Sequence, residues 1–124
     1  MGDLSTDRKF SKSFSYDELS CACCGIADIR ADLVRRLQNA RDDFGKPIKI
    51  NSGYRCPSHN RAIGGDPYSA HLYGFAVDIN IGNSSHRWEL TPILLKHFRR
   101  MGIYQSWIHV DCDPGKPQDV IWYG

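Results

Sequence analysis

Three residues of this 124-residue chain have the types that bind catalytic zinc. His71 and Asp78 lie seven positions apart in SAHLYGFAVDINI, and His109 lies in SWIHVDCD. Two imidazole nitrogens and one carboxylate oxygen are a common zinc ligand set, in which the fourth position stays open for water. Taken singly, each residue is more typical of a solvated histidine or an ion-paired aspartate. An aspartate in an otherwise apolar stretch needs a partner, however, because an unpaired buried carboxylate is costly.

Alternating sequence patterns predict that two of these residues lie on strands. FAVDINI (75–81) alternates apolar and polar residues, which indicates a half-buried strand with Asp78 on its polar face. SWIHVDCD alternates in the same way and predicts a second strand that carries His109. HLYG allows the chain to turn at Gly74, so that His71 can fold back towards Asp78. Side chains from neighbouring strands can then converge on one side of a sheet.

The remaining patterns predict a small α+β domain with helices packed on a largely antiparallel sheet. SYDEL (15–19) has the form of a capping box and predicts a short helix. Helical spacing of apolar residues predicts a longer helix over 28–44, with Asp28 capping its start. Another helix is predicted over 91–101, ended by Gly102. Short strands are predicted at 47–51 and 119–124.

Composition and charge exclude several classes of protein. The 16 Lys and Arg residues against 14 Asp and Glu give a net charge of +2, too weak a bias to indicate nucleic acid as a partner. No apolar run approaches the length of a membrane span, so we expect no membrane insertion. The length predicts a single domain over 1–124, in which 1–13 forms a polar and loosely ordered segment. That segment lacks the apolar core of a signal peptide, which predicts synthesis in the cytoplasm.

The five cysteines leave two interpretations open. Their odd number and the missing signal peptide predict free thiols in a reducing compartment. We favour buried thiols that act as small hydrophobic side chains, and this interpretation includes Cys112. The alternative is a structural zinc shared by Cys21, Cys24 and Cys56, since CACCG has part of a zinc-ligand spacing.

Three motifs in order resemble the zinc D-alanyl-D-alanine carboxypeptidase family. They are SGYRCPSHNRAIGG, SAHLYGFAVDI and WIHVD, and the pattern is most similar to the short phage-type and bacterial murein peptidases of that family. FSYDELSCACCG and IWYG extend the resemblance to nearly the whole chain, from Phe14 to Tyr123. The resemblance implies the fold of DD-peptidases and of the hedgehog signalling domain, a small antiparallel sheet with flanking helices.

The resemblance also implies roles for individual residues. It makes His71, Asp78 and His109 the ligands of one catalytic Zn²⁺. Arg55 of SGYR matches an arginine that faces the substrate, where its planar fork suits a peptide carboxylate or a developing oxyanion. Ser69 matches a serine that either contacts the substrate or fixes the loop of His71, and we favour the second role.

The general base is the least defined part of this resemblance. Asp111 matches the acidic residue of the murein-peptidase version, and alternation places it on the same side of the strand as His109. It is expected to be the base, or else to orient a ligand. Several relatives have an acidic residue where this chain has Ser106, and others have a histidine where it has Trp107. Tyr73 flanks the expected site and is a candidate for substrate contact.

The resemblance implies a zinc peptidase, expected to be monomeric, that hydrolyses the peptides of peptidoglycan. The cleaved bond stays open between a carboxypeptidase and an endopeptidase activity. The role stays open between an endolysin, a part of a phage particle and a bacterial wall-remodelling enzyme. Either way, the protein would act on the cell wall after release or as part of the particle. The alternative is a non-catalytic zinc-binding interaction module of the same fold, which the serine at position 106 favours.

Overall fold

The computed structural model describes residues 8–124. Its helices and strands form an α+β domain, which confirms the predicted fold class. The α-helices are α1 (Tyr16–Leu19), α2 (Ala31–Phe44), α3 (Pro57–Ala62) and α4 (Ser84–His97), with a 3₁₀ helix at Ala70–Tyr73. The strands are β1 (Ile50–Ser52), β2 (Ala76–Asn80), β3 (Arg100–Ile103), β4 (Trp107–Asp111) and β5 (Val120–Tyr123).

The five strands form one sheet in the order β1-β2-β4-β3-β5. All neighbouring pairs are antiparallel except β3 and β5, which run parallel. Strand β2 pairs with β4 over five residue pairs, and Asp78 lies directly opposite His109 in this register. Directly opposite residues of paired strands point to the same face of the sheet, so the pairing of β2 with β4 brings these two side chains together.

The apolar face of the sheet packs against α2 and α4. Leu33, Leu37 and Ala40 of α2 are fully buried at helical spacing, and Val77 and Ile79 of β2 are buried beneath them. The core therefore occupies one face of the sheet, and the opposite face of β2 and β4 is free to hold polar groups.

Helix α2 begins three residues later than predicted. Its N-cap is Arg30, and Asp28 does not cap it, so that part of the prediction is wrong. The backbone N–H of Arg30 donates to the carbonyl oxygen of Gly74 at 3.0 Å, which holds residues 28–30 against the turn that follows the 3₁₀ helix. The end of the helix is as expected, at Gly45 in the left-handed conformation.

The predicted helix over 91–101 is the largest error at this level. Helix α4 begins at Ser84 and ends at His97, and Met101 and Gly102 lie in β3. Met101 is completely buried in the strand, and the predicted helix also required an apolar residue at this position. The apolar spacing was therefore compatible with both structures, and pairing with β4 and β5 on its two sides favours the strand. Glycine at 102 leaves room for the ring of Trp122, which a Cβ atom would meet at 2.5 Å.

The chain before α1 packs onto the domain where it is described. The ring of Phe10 stacks on Tyr16 at 5.5 Å, and Gln38 of α2 accepts hydrogen bonds from the Ser11 hydroxyl and the Ser13 amide. The prediction of a loosely ordered N-terminal segment otherwise falls on residues 1–7, which lie outside the described residues. Ser15 and Glu18 form the predicted capping box of α1. Among residues 8–124, no helix combines the length and apolarity needed to cross a membrane.

Candidate metal centre and cleft

The donor atoms of His71, Asp78 and His109 converge on one point. Asp78 Oδ1 lies 3.2 Å from His71 Nε2 and 3.0 Å from His109 Nδ1, and all three ligand atoms are within 4.8 Å of one another. Ligands at about 2.0–2.1 Å from a tetrahedral zinc stand a little over 3 Å apart. The two distances from Asp78 Oδ1 are therefore close to the ligand spacing of a zinc site.

The turn before β2 positions the first of these residues. Ser69 caps the 3₁₀ helix, because its Oγ accepts from the backbone N–H of His71 at 3.2 Å. The helix ends at Gly74, whose φ of 76° is left-handed and where a Cβ atom would collide with the carbonyl oxygen of Asp28. A glycine is thus required for the chain to reverse and enter β2 with His71 beside Asp78.

The outer nitrogens of the two histidines are held by acceptors. His71 Nδ1 lies 2.7 Å from the carbonyl oxygen of Gly53, and His109 Nε2 lies 2.7 Å from Asp111 Oδ2. A carbonyl and a carboxylate only accept, so each outer nitrogen carries the proton in the neutral ring. The inner nitrogens then present lone pairs to an Asp78 oxygen. Three acceptor atoms that face one another without a donor between them form a site suited to a cation. Acceptors on the outer nitrogens, such as the Gly53 carbonyl and Asp111, are typical of metal-binding histidines.

The electrostatics agree with this arrangement. Burial opposes the charge of Asp78, but the ring nitrogens of His109 and His71 beside it outweigh burial and hold the pKa of Asp78 well below its usual range. Burial lowers the pKa of His71. Burial also acts to lower the pKa of His109, yet its bonds to Asp111 and Asp78 prevail and raise that pKa. The carboxylates of Asp78 and Asp111 therefore favour a positive charge beside the two rings.

The metal-binding cluster lies at the wall of an open cleft of about 740 Å³. The cleft mixes apolar and charged side chains, which suits a peptide that carries a charged group. Its lining residues are Arg55, Ile63, Gly64, Gly65, Asp66, Tyr68, Ser69, Ala70, His71, Asp78, Arg100, Tyr104, Trp107, His109, Asp111, Lys116 and Trp122.

Arg55 supplies the available positive charge of the cleft. It forms no ion pair with any residue in 8–124, whereas Arg100 pairs with Asp111 and Lys116 pairs with Asp113. One guanidinium nitrogen donates to Asn60 Oδ1 at 3.3 Å, and the buried Nε has no acceptor within the described chain. Burial lowers the pKa of Arg55, although not enough to remove its charge. A donor left unpaired beside a metal-binding cluster is suited to an anionic substrate group.

Asp111 is engaged on both of its oxygens. Oδ2 contacts His109, while Oδ1 accepts from Arg100 Nε at 2.7 Å and from the backbone N–H of Asp113 at 3.1 Å. The side chain is only 1% exposed. Burial opposes its charge, but these partners prevail and lower the pKa of Asp111. Of the two roles that the sequence left open, these contacts favour orientation of His109, because a buried and paired carboxylate is a weak base.

The two other expected residues differ from each other in their position relative to the cleft. Tyr73 is 51% exposed and is not among the residues that line the cleft, which argues against a substrate contact. In a 3₁₀ helix, residues two apart point in different directions, so Tyr73 cannot share the orientation of His71. Tyr68 lines the cleft instead. Ser69 also lines it, but its hydroxyl oxygen caps the 3₁₀ helix as favoured from the sequence.

Sequence reasoning missed several residues of the cleft. Arg100 and Lys116 were not identified, and neither was the aromatic wall in which Trp122 Nε1 donates to the Tyr104 hydroxyl at 3.0 Å. The Tyr104 ring stacks on Trp107 at 4.7 Å, and Trp122 lies 5.5 Å from the His109 ring. The conspicuous aromatic residues of IWYG were the available signal, but their contact with β3 depends on a parallel pairing that no local pattern indicates.

Comparisons with known proteins agree with this site. A sequence model described as Peptidase M15 matches residues 12–113. The zinc D-Ala-D-Ala carboxypeptidase of Streptomyces albus G is 41% identical over 49 residues. That similarity covers 39% of this chain and 19% of the relative, so it spans less than a fifth of the relative's length.

Proposed function

Because this chain belongs to the peptidase M15 family, we propose that it is a zinc-dependent peptidase that cleaves peptides of peptidoglycan. The observation that carries the proposal is the convergence of His71, Asp78 and His109 in a cleft that also contains Arg55. The first three supply the metal ligands, and the last supplies a charge for the substrate.

His71 Nε2, Asp78 Oδ1 and His109 Nδ1 would hold the zinc ion. When bound, zinc polarises a carbonyl oxygen and lowers the pKa of a coordinated water to near neutrality. Gly53 and Asp111 keep the two imidazole rings in the tautomers that direct their lone pairs inward. The three ligands leave a coordination position for water or substrate, as a catalytic site requires.

Arg55 would bind the negative charge of the substrate. Its backbone N–H donates to the His71 carbonyl oxygen at 3.2 Å, so the arginine is tied to the same turn that carries a metal ligand. Its guanidinium can hold a terminal carboxylate bidentately or stabilise an oxyanion that develops beside the metal.

We assign Asp111 to the orientation of His109. Asp66 is then a lining carboxylate that pairs with no cation among residues 8–124, and it is our candidate for the base.

The finer substrate rests on the relative from Streptomyces albus G, whose name specifies D-Ala-D-Ala and carboxypeptidase activity. We extend this to peptidoglycan stem or cross-link peptides, as a carboxypeptidase or an endopeptidase. A free terminal carboxylate would match the unpaired charge of Arg55. We further propose that the protein acts on the cell wall, as an endolysin, as part of a phage particle or as a bacterial wall-remodelling enzyme.

A second candidate function is a non-catalytic zinc-binding interaction module. It is favoured by Ser106, which is exposed and absent from the cleft lining, at a position where the resemblance implies an acidic residue in several relatives. The occupied hydrogen bonds of Asp111 favour it as well. Under this alternative, the cleft would bind a peptide without cleaving it.

The two functions are separated by incubating the zinc-loaded protein with purified peptidoglycan and with a synthetic stem pentapeptide. Mass spectrometry then identifies either free D-alanine or a new amine within the cross-link. His71→Ala should lose the zinc of the metal-binding cluster together with activity, whereas His59→Ala, a histidine outside that cluster, should keep both. A wild type that binds zinc through His71 but releases no product from either substrate would favour the interaction module and contradict the peptidase.

A further inference from the structure

Four cysteines gather at one place on the surface, outside the cleft. The Sγ atom of Cys21 lies 3.7 Å from those of Cys23 and Cys56, and the latter two are 3.2 Å apart. With Cys24, all four sulfurs lie within 4.8 Å of one another. None of them is in a disulfide, whose sulfur atoms would be about 2.05 Å apart.

Their burial contradicts the interpretation favoured from the sequence. Cys21 is buried, but Cys23 and Cys24 are exposed and Cys56 is intermediate, so most of the cluster does not serve as core. Cys112 is different: it lies apart from the cluster, packs partly against the core, and burial raises its pKa to about 12. The core-thiol interpretation therefore applies to Cys112 and Cys21 but leaves the convergence of four sulfurs unexplained.

The backbone is arranged to bring the four sulfurs together. Residues 21–26 form a closed turn, in which the N–H of Cys21 donates to the Ile26 carbonyl at 2.7 Å and that of Gly25 donates back to the Cys21 carbonyl at 2.9 Å. Gly25 is left-handed, with φ 73°, which closes the turn. Cys56 comes from a separate segment, at the N-cap of α3.

Backbone N–H groups also point at the sulfurs. The amide of Cys56 donates to Cys21 Sγ at 3.5 Å, and the amide of His59 donates to Cys56 Sγ at 3.4 Å. Such bonds favour sulfur in the thiolate form, which is the form that binds metal. The two segments are thus connected through their sulfur atoms.

We propose that Cys21, Cys23, Cys24 and Cys56 form a second zinc site, structural rather than catalytic. A tetrahedral zinc with Zn–S bonds of about 2.3 Å separates its sulfurs by about 3.8 Å, close to two of the observed distances. Four thiolates complete the coordination and leave no position for water, which is the mark of a structural site. Soft sulfur ligands in this geometry select zinc over the hard cations Mg²⁺ and Ca²⁺.

The site would fix the loop that supports the metal-binding cluster in the cleft. Cys56 directly follows Arg55, and the carbonyl of Gly53, three residues before Cys56, accepts from His71. Helix α3, which Cys56 caps, carries the Asn60 that contacts Arg55. Zinc at the cysteines would therefore hold residues 53–56 against residues 21–24 while adding nothing to the cleft itself.

Metal content of purified variants tests this inference independently of any peptidase activity. The wild type should contain two zinc ions per chain. His71→Ala should retain one, and X-ray absorption of that variant should show sulfur ligands only, at about 2.3 Å. Cys24→Ser should lose one ion, whereas the matched control Cys112→Ser, whose thiol lies outside the cluster, should keep two.

A second measurement uses the wild type and does not depend on how a variant folds. Titration with an organic mercurial should release one zinc as the cluster thiols react, while the zinc bound through His71 remains. One zinc per chain with nitrogen and oxygen ligands only would overturn the proposal. So would a disulfide between cluster cysteines in protein purified under reducing conditions, or iron in place of zinc at the cysteines.

Discussion

Replacing Asp111 with asparagine separates the two roles considered for this residue. The carboxylate accepts from His109 through one oxygen and from Arg100 through the other, both at 2.7 Å. Asparagine has one acceptor oxygen and one donor NH₂ group, so it can satisfy only one of these donors. Either His109 loses the acceptor that fixes its tautomer, or Arg100 faces another donor. Both outcomes weaken the site, and neither changes the shape of the side chain.

The expected magnitudes follow from these contacts. Loss of an outer partner of a metal-binding histidine typically costs 10–100-fold in metal affinity, or about 1.4–2.8 kcal/mol. Arg100 is only 8% exposed and would lose its ion-pair partner, which costs about 3–5 kcal/mol for a buried pair. Arg100 keeps its bond to the Pro117 carbonyl, so we expect the lower end of that range. For a chain of this length, Tm should fall by roughly 10–15 °C.

The assay measures zinc affinity by competition with a chelator and then kcat at saturating zinc. If Asp111 orients His109, the variant should bind zinc 10–100-fold more weakly, and kcat at saturating zinc should recover to within about tenfold of wild type. Asp113→Asn is the matched control. It also removes a buried carboxylate paired with a cation, Lys116, but Asp113 does not contact His109. It should lose stability without losing zinc affinity.

The reasoning would be refuted by the opposite pattern. Unchanged zinc affinity, together with a loss of about 10²–10⁴-fold in kcat at saturating zinc, would identify Asp111 as the general base. The same assay applied to Asp66→Asn tests our candidate for the base. That variant should keep both zinc and stability, because the Asp66 side chain is exposed and its only hydrogen bond within the described residues is from the backbone N–H of Tyr68.

Three further predictions concern other parts of the site. Arg55→Ala should lower kcat/KM about 10²–10³-fold with zinc content unchanged. Arg55→Lys should recover little of this activity, because the bidentate fork of the guanidinium is lost. Equal activity of the wild type and both variants would exclude a substrate role for Arg55. Gly53→Ala should lower the free energy of unfolding by about 1–3 kcal/mol in urea titrations, because the new Cβ would lie 2.6 Å from the Leu19 carbonyl oxygen. An unchanged midpoint of the urea titration would contradict this tight packing. Zinc affinity at the metal-binding cluster should fall about tenfold per pH unit below the raised pKa of His109, because a proton competes with the metal there. Above that pKa the affinity should level off. Calorimetry in buffers of different ionisation enthalpy should detect the released proton.

Much of the metal-binding cluster could be predicted from local pattern. The alternation in FAVDINI determines which face of β2 carries Asp78, since side chains of a strand alternate between two faces. The same rule applies to His109 and Asp111 on β4, and the two aspartates and the histidine do lie within contact distance. What alternation could not supply was the register that sets Asp78 opposite His109.

The errors have a common physical origin. Met101 fits an apolar stripe in either a helix or a strand, and the pairing with β4 and β5 decides between them. The role of Asp111 depended on Arg100, whose position follows from that same missed strand. Cys56 is 35 residues from Cys21, so their contact is a property of the tertiary fold rather than of CACCG alone. Each error concerns a residue whose environment is created by distant parts of the chain.

The pairing of β2 with β4 also determines when during folding the zinc ligands come together. Asp78 and His109 are 31 positions apart, and Gly53 lies 18 positions from the ring it orients. Closing loops of this length costs entropy before the contacts form, so the unfolded chain contains no preassembled ligand set. Zinc at these residues would therefore bind after the sheet has closed, and its binding energy would slow unfolding while leaving the folding rate little changed. The metal would then lengthen the lifetime of the folded state without guiding the chain towards it.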